Sequence, residues 1–320
     1  MKWSRELRIA RRSVQTALKA ASAMAAAKVA PLHLAPHSVS DRLDPALCEV
    51  EDFGSNPGRL RMLVHLPTDP PRPDAPLIVL LHGCGQGAAS FAAEGGWTAL
   101  ADRLAVPLVL PVQSEDNNQG RCFNWFRPMH TSRGHGEALS IRQMISSAML
   151  RFGSDPERVF IAGLSAGGAM AAALLASYPD VFAAGAVCAG LPVGTANGLS
   201  EALRRMAQAG PMRSPAGWAD EARRAGPIGY RGPWPRLSIW HGTADRVVDP
   251  ENARLLATQW ATLHGMGLEP TQSEQLGGIR HDQWLMQGEA VVEQWTLGAL
   301  GHDWPPNAVE PIARFWNIAA

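Results

Sequence analysis

Ser165 has the sequence context of a catalytic nucleophile. It lies in the segment GLSAGG at residues 163–168, directly after the apolar run VFIA and before an alanine-rich stretch. Flanking glycines allow a tight turn between a strand and a helix, and such a turn holds a serine hydroxyl above the edge of a sheet. We therefore predict that Ser165 is the nucleophile; the alternative is a glycine-rich turn without a catalytic part.

A serine hydroxyl needs a base to accept its proton and a carboxylate to orient that base. Asp245 follows the apolar run LSIW at residues 237–240, which predicts a position at the C-terminal end of a strand. Its rival, Asp249, is followed by Pro250 and a helical pattern, so we interpret Asp249 as the cap of a helix. Asp245 is the predicted acid.

His302 is the predicted base because it follows the last predicted strand, at residues 291–297. The resulting order Ser, acid, His is that of the α/β-hydrolase fold. His281 competes, but it precedes that strand and is therefore expected at the opposite edge of the sheet. His82 and His241 are expected to hold backbone groups at strand ends. Asp303 adds a second carboxylate that could compete for the imidazole.

Two backbone N–H groups are the predicted oxyanion hole, which stabilises the negative charge that develops in acyl transfer. One belongs to Ala166, the residue after the nucleophile. The other is that of Cys84, in the segment HGCGQ at residues 82–86 after the apolar run LIVLL. In an α/β-hydrolase this loop is where the second donor lies.

The elements that must position these residues alternate between apolar runs and helical patterns, which predicts a mostly parallel central sheet with helices on both faces. Together with the motifs, this predicts an α/β-hydrolase fold. The main strands are expected at residues 60–66, 77–81, 108–112, 159–162, 183–189, 237–240 and 291–297. The main helices are expected at residues 91–104, 137–152 and 166–177, followed by one from Asp249 and a short one at 312–316.

Two parts of the chain are predicted from composition. Residues 1–45 are either a basic tail or an export segment, because five Lys and Arg residues precede an alanine-rich stretch. Residues 46–320 are the predicted catalytic domain. Within it, residues 191–235 are rich in Gly and Pro and are interpreted as an insertion over the top of the sheet.

The overall charge gives no reason to expect nucleic acid or an anionic membrane as a partner. Lys and Arg number 29, as do Asp and Glu. No stretch is long and apolar enough for a membrane span, so stable membrane insertion is not expected. The four cysteines form no CxxC pair, which leaves zinc-ribbon and thioredoxin interpretations without support.

Six segments together resemble the polyhydroxybutyrate depolymerase family of esterases, which is similar to feruloyl and acetylxylan esterases. They are HGCGQ at 82–86, GW at 96–97, CFNWF at 122–126, GLSAGG at 163–168, HGTAD at 241–245 and GHDW at 301–304. The resemblance implies an esterase without metal or other cofactor, with Ser165, Asp245 and His302 as its triad. It also implies that Trp125 lines the substrate groove, with Gln86 as a second substrate contact. Cys84 and Cys122 are then either a disulfide or two buried thiols.

The resemblance implies a hydroxyalkanoate ester as substrate. A soluble oligomer or amorphous polymer is expected, because no polymer-binding domain follows the predicted core. A feruloyl or acetylxylan esterase is the main alternative. A serine peptidase and a hydrolase-like binding protein without catalysis are the others. The resemblance favours an extracellular or periplasmic location, with the cytoplasm as the alternative, and leaves the oligomeric state open.

Overall fold

The computed structural model describes residues 47–319. The predicted N-terminal segment and its boundary near residue 45 lie outside the described residues. The division of the chain at that point stays a prediction.

Ten strands form one sheet within residues 47–319. They are β1 Leu47–Val50, β2 Arg61–His65, β3 Leu77–Leu81, β4 Leu108–Val112, β5 Val159–Leu164, β6 Ala184–Cys188, β7 Arg236–Gly242, β8 Gln272–Leu276, β9 Ile279–Met286 and β10 Glu289–Leu297. Their spatial order is β1-β2-β4-β3-β5-β6-β7-β10-β9-β8. The six central strands from β4 to β10 run parallel. The sheet continues with the antiparallel strands β2 and β1 beyond β4, and with the antiparallel strands β9 and β8 beyond β10.

Nine helices accompany the sheet in the described part of the chain. They are α1 Ala88–Glu94, α2 Trp97–Leu104, α3 Pro128–Thr131, α4 Gly136–Phe152, α5 Ala166–Ser177, α6 Leu199–Ala207, α7 Pro215–Ala225, α8 Glu251–Leu263 and α9 Val309–Phe315. Side chains of α4, α5, α7 and α8 belong to the core on one face of the sheet. Those of α1, α2 and α9 belong to the core on the other face.

Strand β3 shows why the central strands are continuously apolar. All five of its residues are buried. Because side chains alternate across a strand, Leu77, Val79 and Leu81 enter one core while Ile78 and Leu80 enter the other. A sheet covered on both faces leaves its strands no solvent-facing side, as the apolar run LIVLL indicated.

Several elements of the structure were not expected from the sequence. The single helix expected at residues 91–104 is two helices, because Gly96 adopts a left-handed φ of 83° that ends regular helix geometry. Strands β1, β8 and β9 were not predicted. Residues 191–235 contain α6 and α7, and α7 packs in the same layer as α5 and α8. The interpretation of that segment as an insertion remains a prediction.

Parallel strands end at a common edge of the sheet, and the candidate residues follow these ends. The loops after β3, β5, β7 and β10 carry Cys84, Ser165, Asp245 and His302 respectively. The strand order, with helices on both faces, is that of the α/β-hydrolase fold, and this prediction is confirmed.

Candidate active site

Ser165 occupies a strained turn between β5 and α5. Its φ of 57° and ψ of −117° lie in a region that non-glycine residues rarely adopt. The turn is held because the Ser165 N–H donates to the Cys188 carbonyl at 2.9 Å, which ties the elbow to the end of β6. This backbone geometry lifts the side chain out of the sheet.

Gly167 explains why the elbow needs a glycine two residues after Ser165, at the second position of α5. A Cβ on this residue would lie 2.1 Å from the Leu81 carbonyl oxygen and 2.6 Å from that of His82. Both atoms belong to the backbone, so neither can move aside cheaply. The absent side chain therefore lets the end of β3, and the loop that bears Cys84, approach the start of α5.

Three side chains from three loops form a continuous chain of contacts. His302 Nε2 lies 2.9 Å from Ser165 Oγ. His302 Nδ1 lies 2.8 Å from Asp245 Oδ2. The imidazole therefore bridges a hydroxyl and a carboxylate, with one ring nitrogen directed at each. The structure brings these residues together although 137 residues separate Ser165 from His302.

The Asp245 carboxylate is fully enclosed and hydrogen-bonded on both oxygens. Oδ1 accepts the N–H groups of Val247 and Val248 at 2.8 and 2.9 Å. Oδ2 faces both His302 and His241 Nε2, the latter at 3.0 Å. Burial by itself raises the pKa of Asp245, but hydrogen bonds from His241, His302 and the two amides outweigh it and hold the pKa well below its ordinary value. The group is therefore a stable anion.

Backbone hydrogen bonds and aromatic packing fix the loop that bears His302. The N–H of Thr243 donates to the Leu297 carbonyl, and that of Ala244 donates to the Leu300 carbonyl. These bonds join the loop of Asp245 to the loop of His302. Trp304 packs edge-on against Phe91, with ring centroids 5.4 Å apart.

The competing residues have other partners. Asp249 accepts the N–H groups of Glu251 and Ala209 at 3.0 Å, so it holds the start of α8. Asp303 is exposed, and its carboxylate makes no hydrogen bond to His302 in the described structure.

His281 is not at the opposite edge of the sheet, and that expectation was wrong. It lies in β9 opposite Trp295, near the C-terminal end of β10, because β9 runs antiparallel to β10. Its Nε2 contacts the Glu293 carboxylate at 2.8 Å. His82 holds backbone groups as expected: its ring nitrogens lie 2.8 Å from the Gly83 carbonyl and 3.2 Å from the Gln113 N–H. Burial lowers the pKa of His82.

The loop of Cys84 is tied to a neighbouring loop. Cys84 and Cys122 form a disulfide, which decides between the bridge and the two thiols. The N–H of Gly85 donates to the Gly120 carbonyl at 2.9 Å, and the Arg121 guanidinium donates to the Gly85 carbonyl at 2.7 Å. Within residues 47–319, the N–H groups of Cys84 and Ala166 donate to no protein acceptor.

The described residues contain no group of three His, Cys, Asp or Glu side chains that could hold a metal ion. None of the helices described between residues 47 and 319 has the length and apolar character needed to cross a bilayer.

The family model described as "Esterase PHB depolymerase" matches residues 60–283. The chain belongs to this family. Poly(3-hydroxyalkanoate) depolymerase C of Paucimonas lemoignei is 42% identical over 86% of this chain. The match covers 65% of that depolymerase's own length, which is less than two thirds.

Other relatives of this PHB depolymerase family member are named for plant-wall esters. An acetylxylan esterase of Coprinopsis cinerea is 34% identical over 83% of this chain and 71% of its own length. A feruloyl esterase B of Thermothelomyces thermophilus is 32% identical over 86% of this chain and 94% of its own. An acetyl xylan esterase structure from Aspergillus awamori superposes with a TM-score of 0.78 at 23% identity, covering 85% of this chain and 99% of its own, and supports the fold.

Trp125 and Gln86, the two residues predicted to contact substrate, have different surroundings in this family member. Trp125 is half-buried and packs on an apolar cluster of Ala169, Leu191 and Val248. Ala169 is one helical turn from Ser165, so the indole lies close to the candidate nucleophile. Gln86 is exposed, and its Oε1 accepts the Gly83 N–H at 2.8 Å. Its side chain therefore braces the loop of Cys84, and its contact with substrate stays a prediction.

Glu137 is a site residue that the sequence analysis missed. It is fully buried and accepts hydrogen bonds from the backbone and the side chain of Asn124, next to Trp125, and from the Gln113 side chain. It thereby fixes the loop that presents the indole. A glutamate in the first turn of a helix gives no signal of this role, because the partners come from distant loops.

His241 was assigned only to backbone bonding, and the structure adds a contact with Asp245. Its Nε2 does contact a backbone group, the Val248 carbonyl, at 3.1 Å. The segment HGTAD at residues 241–245 was the available signal, because it places a histidine near the end of a strand, four residues before the aspartate.

Proposed function

We propose that this protein is a serine esterase in which Ser165 is the nucleophile, His302 the base and Asp245 the acid. The observation that carries the proposal is the unbroken contact from Ser165 Oγ through the His302 imidazole to the Asp245 carboxylate. His302 Nδ1 faces an anion, so it carries the hydrogen, and Nε2 is left with a lone pair directed at the hydroxyl.

The first half of the reaction transfers the acyl group to the enzyme. Ser165 Oγ bonds to the ester carbonyl carbon as its proton moves to His302 Nε2. The carbonyl π electrons become a lone pair on the oxyanion, which the N–H groups of Cys84 and Ala166 hold. The carbon–oxygen bond to the alcohol then breaks, and the proton on His302 leaves with the alkoxide.

The second half of the reaction returns the enzyme to its starting state. His302 Nε2 accepts a proton from water as the water oxygen attacks the acyl-enzyme carbon. The same two amides hold the second oxyanion. Collapse releases the carboxylic acid, and the proton returns to Ser165 Oγ. Asp245 remains an anion throughout and stabilises the imidazolium each time it forms.

Hydroxyalkanoate esters, as oligomers or amorphous polymer, are the proposed substrates. Two observations support them: the 42% identity to a poly(3-hydroxyalkanoate) depolymerase, and the half-buried indole of Trp125 on an apolar cluster beside the nucleophile. An apolar wall suits a short aliphatic acyl chain. Gln86 Oε1 is bonded to the Gly83 N–H, and Nε2 of the same side chain is the proposed polar contact with substrate.

A feruloyl or acetylxylan ester is the second candidate, favoured by the relatives of those names at 32–34% identity. Both candidates use the same triad, so substrate preference must be measured. Rates on hydroxybutyrate trimer, a feruloylated sugar and acetylated xylan should rank the trimer first. A faster rate on either plant-wall ester would replace the proposed substrate without changing the mechanism.

The esterase proposal itself is tested with wild type and the Ser165→Ala variant. Wild type should hydrolyse a short-chain p-nitrophenyl ester and be labelled at Ser165 by a fluorophosphonate. The Ser165→Ala variant should do neither while keeping the wild-type melting temperature. Wild type without turnover and without label would refute the proposal.

We also propose an oxidising location, periplasmic or extracellular, supported by the disulfide between Cys84 and Cys122. Structural disulfides persist in such compartments and are rare in the cytosol. Cell fractionation of the source organism with an antibody should find the protein outside the cytoplasm. Recovery of the reduced protein from the cytoplasm alone would contradict this location.

A further inference from the structure

Asp245 Oδ2 faces two imidazoles. His302 Nδ1 lies 2.8 Å from this oxygen, and His241 Nε2 lies 3.0 Å from it. The other carboxylate oxygen is occupied by two backbone N–H groups. A carboxylate has about four lone-pair positions, and here each has a donor. The side chain is fully buried, so no bulk water substitutes for any of them.

His241 acts as a donor at this contact. Its Nε2 lies between two groups that only accept hydrogen bonds, Asp245 Oδ2 and the Val248 carbonyl oxygen. A ring nitrogen without hydrogen would repel both, so Nε2 carries the hydrogen. His241 Nδ1 is buried and has no hydrogen-bond partner in the part of the chain that the structure describes. The tautomer is therefore set by the contact with Asp245 and Val248.

His241 is also better fixed than the carboxylate it contacts. It is 2% exposed and lies within β7, where it pairs with Thr296 of β10. Asp245 lies in the loop that follows. A donor on a strand of the central sheet is a rigid reference point for a side chain on a loop. The imidazole of His302 depends on that side chain for its own orientation.

The other ionisable side chains nearby make no hydrogen bond or ion pair with the Asp245 carboxylate in the part of the chain that the structure describes. A cavity of about 480 Å³ borders His241, and its charged lining residues include two ion pairs, Arg254 with Glu251 and Arg280 with Asp282. Glu269 also lines this cavity. Asp245 and Asp303 both lie near Cys188, whose thiol donates to the Asp303 carbonyl at 3.5 Å. In the described structure, the imidazoles of His241 and His302 are the side-chain groups that contact the carboxylate.

We infer that His241 is a positioning residue for the reaction. Its Nε2–H holds Asp245 Oδ2 in the orientation that aims the His302 imidazole at Ser165. The inference rests on the proposed esterase function. It makes the relay four residues long, and two of its members, Asp245 and His241, do not contact the substrate.

The test compares two substitutions at this position on p-nitrophenyl butyrate. His241→Phe keeps a ring of similar shape and removes the donor. His241→Gln keeps an N–H donor at about the position of the histidine Nε2. We expect kcat of the Phe variant to fall about 10-fold to 100-fold with KM within about twofold, because misaligned catalytic groups lose rate rather than binding. The Gln variant should regain most of the rate.

The pH dependence of kcat/KM is a second readout, because a merely structural role of His241 would not change it. Without the His241 donor, the Asp245 charge is less satisfied and stabilises the His302 imidazolium more strongly. The acid limb of kcat/KM in the Phe variant should therefore move to higher pH by about half a unit or more. The Gln variant should keep the wild-type limb.

His264 provides the matched control. It is a half-buried histidine whose Nε2 lies 3.3 Å from the Pro235 carbonyl, away from the triad. His264→Phe should leave kcat and the pH profile unchanged. Equal kcat losses in the Phe and Gln variants of His241, or an unmoved acid limb, would overturn the inference. Wild type without turnover or fluorophosphonate label would instead refute the proposed function.

Discussion

Asp245→Asn is the substitution that most directly tests the proposed relay. Two backbone N–H groups point at Oδ1, so the amide oxygen of the asparagine must occupy that position. The amide NH₂ is then directed at His302 Nδ1, in place of Oδ2. Two donors cannot face each other, so His302 must move its hydrogen to Nε2. Nε2 then donates to Ser165 and no longer accepts its proton.

The size of the effect follows from the contacts that are lost. The hydrogen bonds from His302 and His241 to Oδ2 each involve a charged acceptor, and such bonds contribute about 1.5–3 kcal/mol. We use their sum, about 3–6 kcal/mol, as the range of the loss, because both bonds hold the anion that faces the imidazolium formed in the transition state. At about 1.4 kcal/mol for each factor of ten, kcat should fall about 100-fold to 10,000-fold. KM should stay within about twofold, because the buried side chain does not contact substrate.

The assay is steady-state hydrolysis of p-nitrophenyl butyrate, with circular dichroism and thermal unfolding to confirm that each variant is folded. Asp249→Asn is the control, because Asp249 is also a loop aspartate that accepts backbone N–H groups but does not contact His302. The control should keep kcat within about twofold and lose about 1 kcal/mol of stability, because asparagine offers one acceptor oxygen to the two N–H groups. A loss below tenfold in the Asp245 variant, or an equal loss in the control, would refute the reasoning.

Three further predictions concern stability. Reducing the disulfide between Cys84 and Cys122, 38 residues apart, should lower the free energy of unfolding by about 4 kcal/mol in urea titrations. It should also lower kcat by loosening the loop of the proposed oxyanion donor. Gly167→Ala should cost about 3 kcal/mol or more, measured by thermal unfolding, because its Cβ would lie 2.1 Å from the Leu81 carbonyl oxygen. The depressed pKa of Asp245 means that its stabilising effect is complete above about pH 4 and declines at lower pH. Urea unfolding should therefore show the advantage of wild type over Asp245→Asn shrinking below pH 4.

Each of these predictions has its own check. Gly267→Ala is the control for the glycine, because nothing lies within 4 Å of the added Cβ and the melting temperature should not fall. A reduced enzyme with unchanged kcat would show that the loop does not need the bridge. A constant difference in unfolding free energy between pH 7 and pH 2 would contradict the assignment of a depressed pKa to Asp245.

The hydrogen bond between Ser165 and His302 depends on some features that are local in the sequence and on others that lie far apart along the chain. The elbow is local: an apolar run, flanking glycines and a small-residue helix lie within about 20 residues, so the sequence alone indicated Ser165. The positions of Asp245 and His302 followed from the ends of parallel strands, which share one edge of the sheet. Burial of β3 on both faces was likewise visible in its apolar run.

Other features had no local signal. The hairpin of β8 and β9 was missed because most of its residues are exposed, so the apolar pattern of a buried strand is absent. That omission also misplaced His281, whose position depends on an antiparallel pairing. The break at Gly96 was missed because glycine tolerates a helix as well as a left-handed φ, and packing decides between them.

Apolar periodicity and the order of the strand ends along the chain were enough to predict the fold class and the candidate triad. Which atoms meet could be seen only in the folded chain. It joined Cys84 to Cys122, put Glu137 under the loop of Trp125 and directed His241 at Asp245. Such contacts depend on side chains from separate loops arriving in one small volume, and no periodicity along the chain records that arrangement.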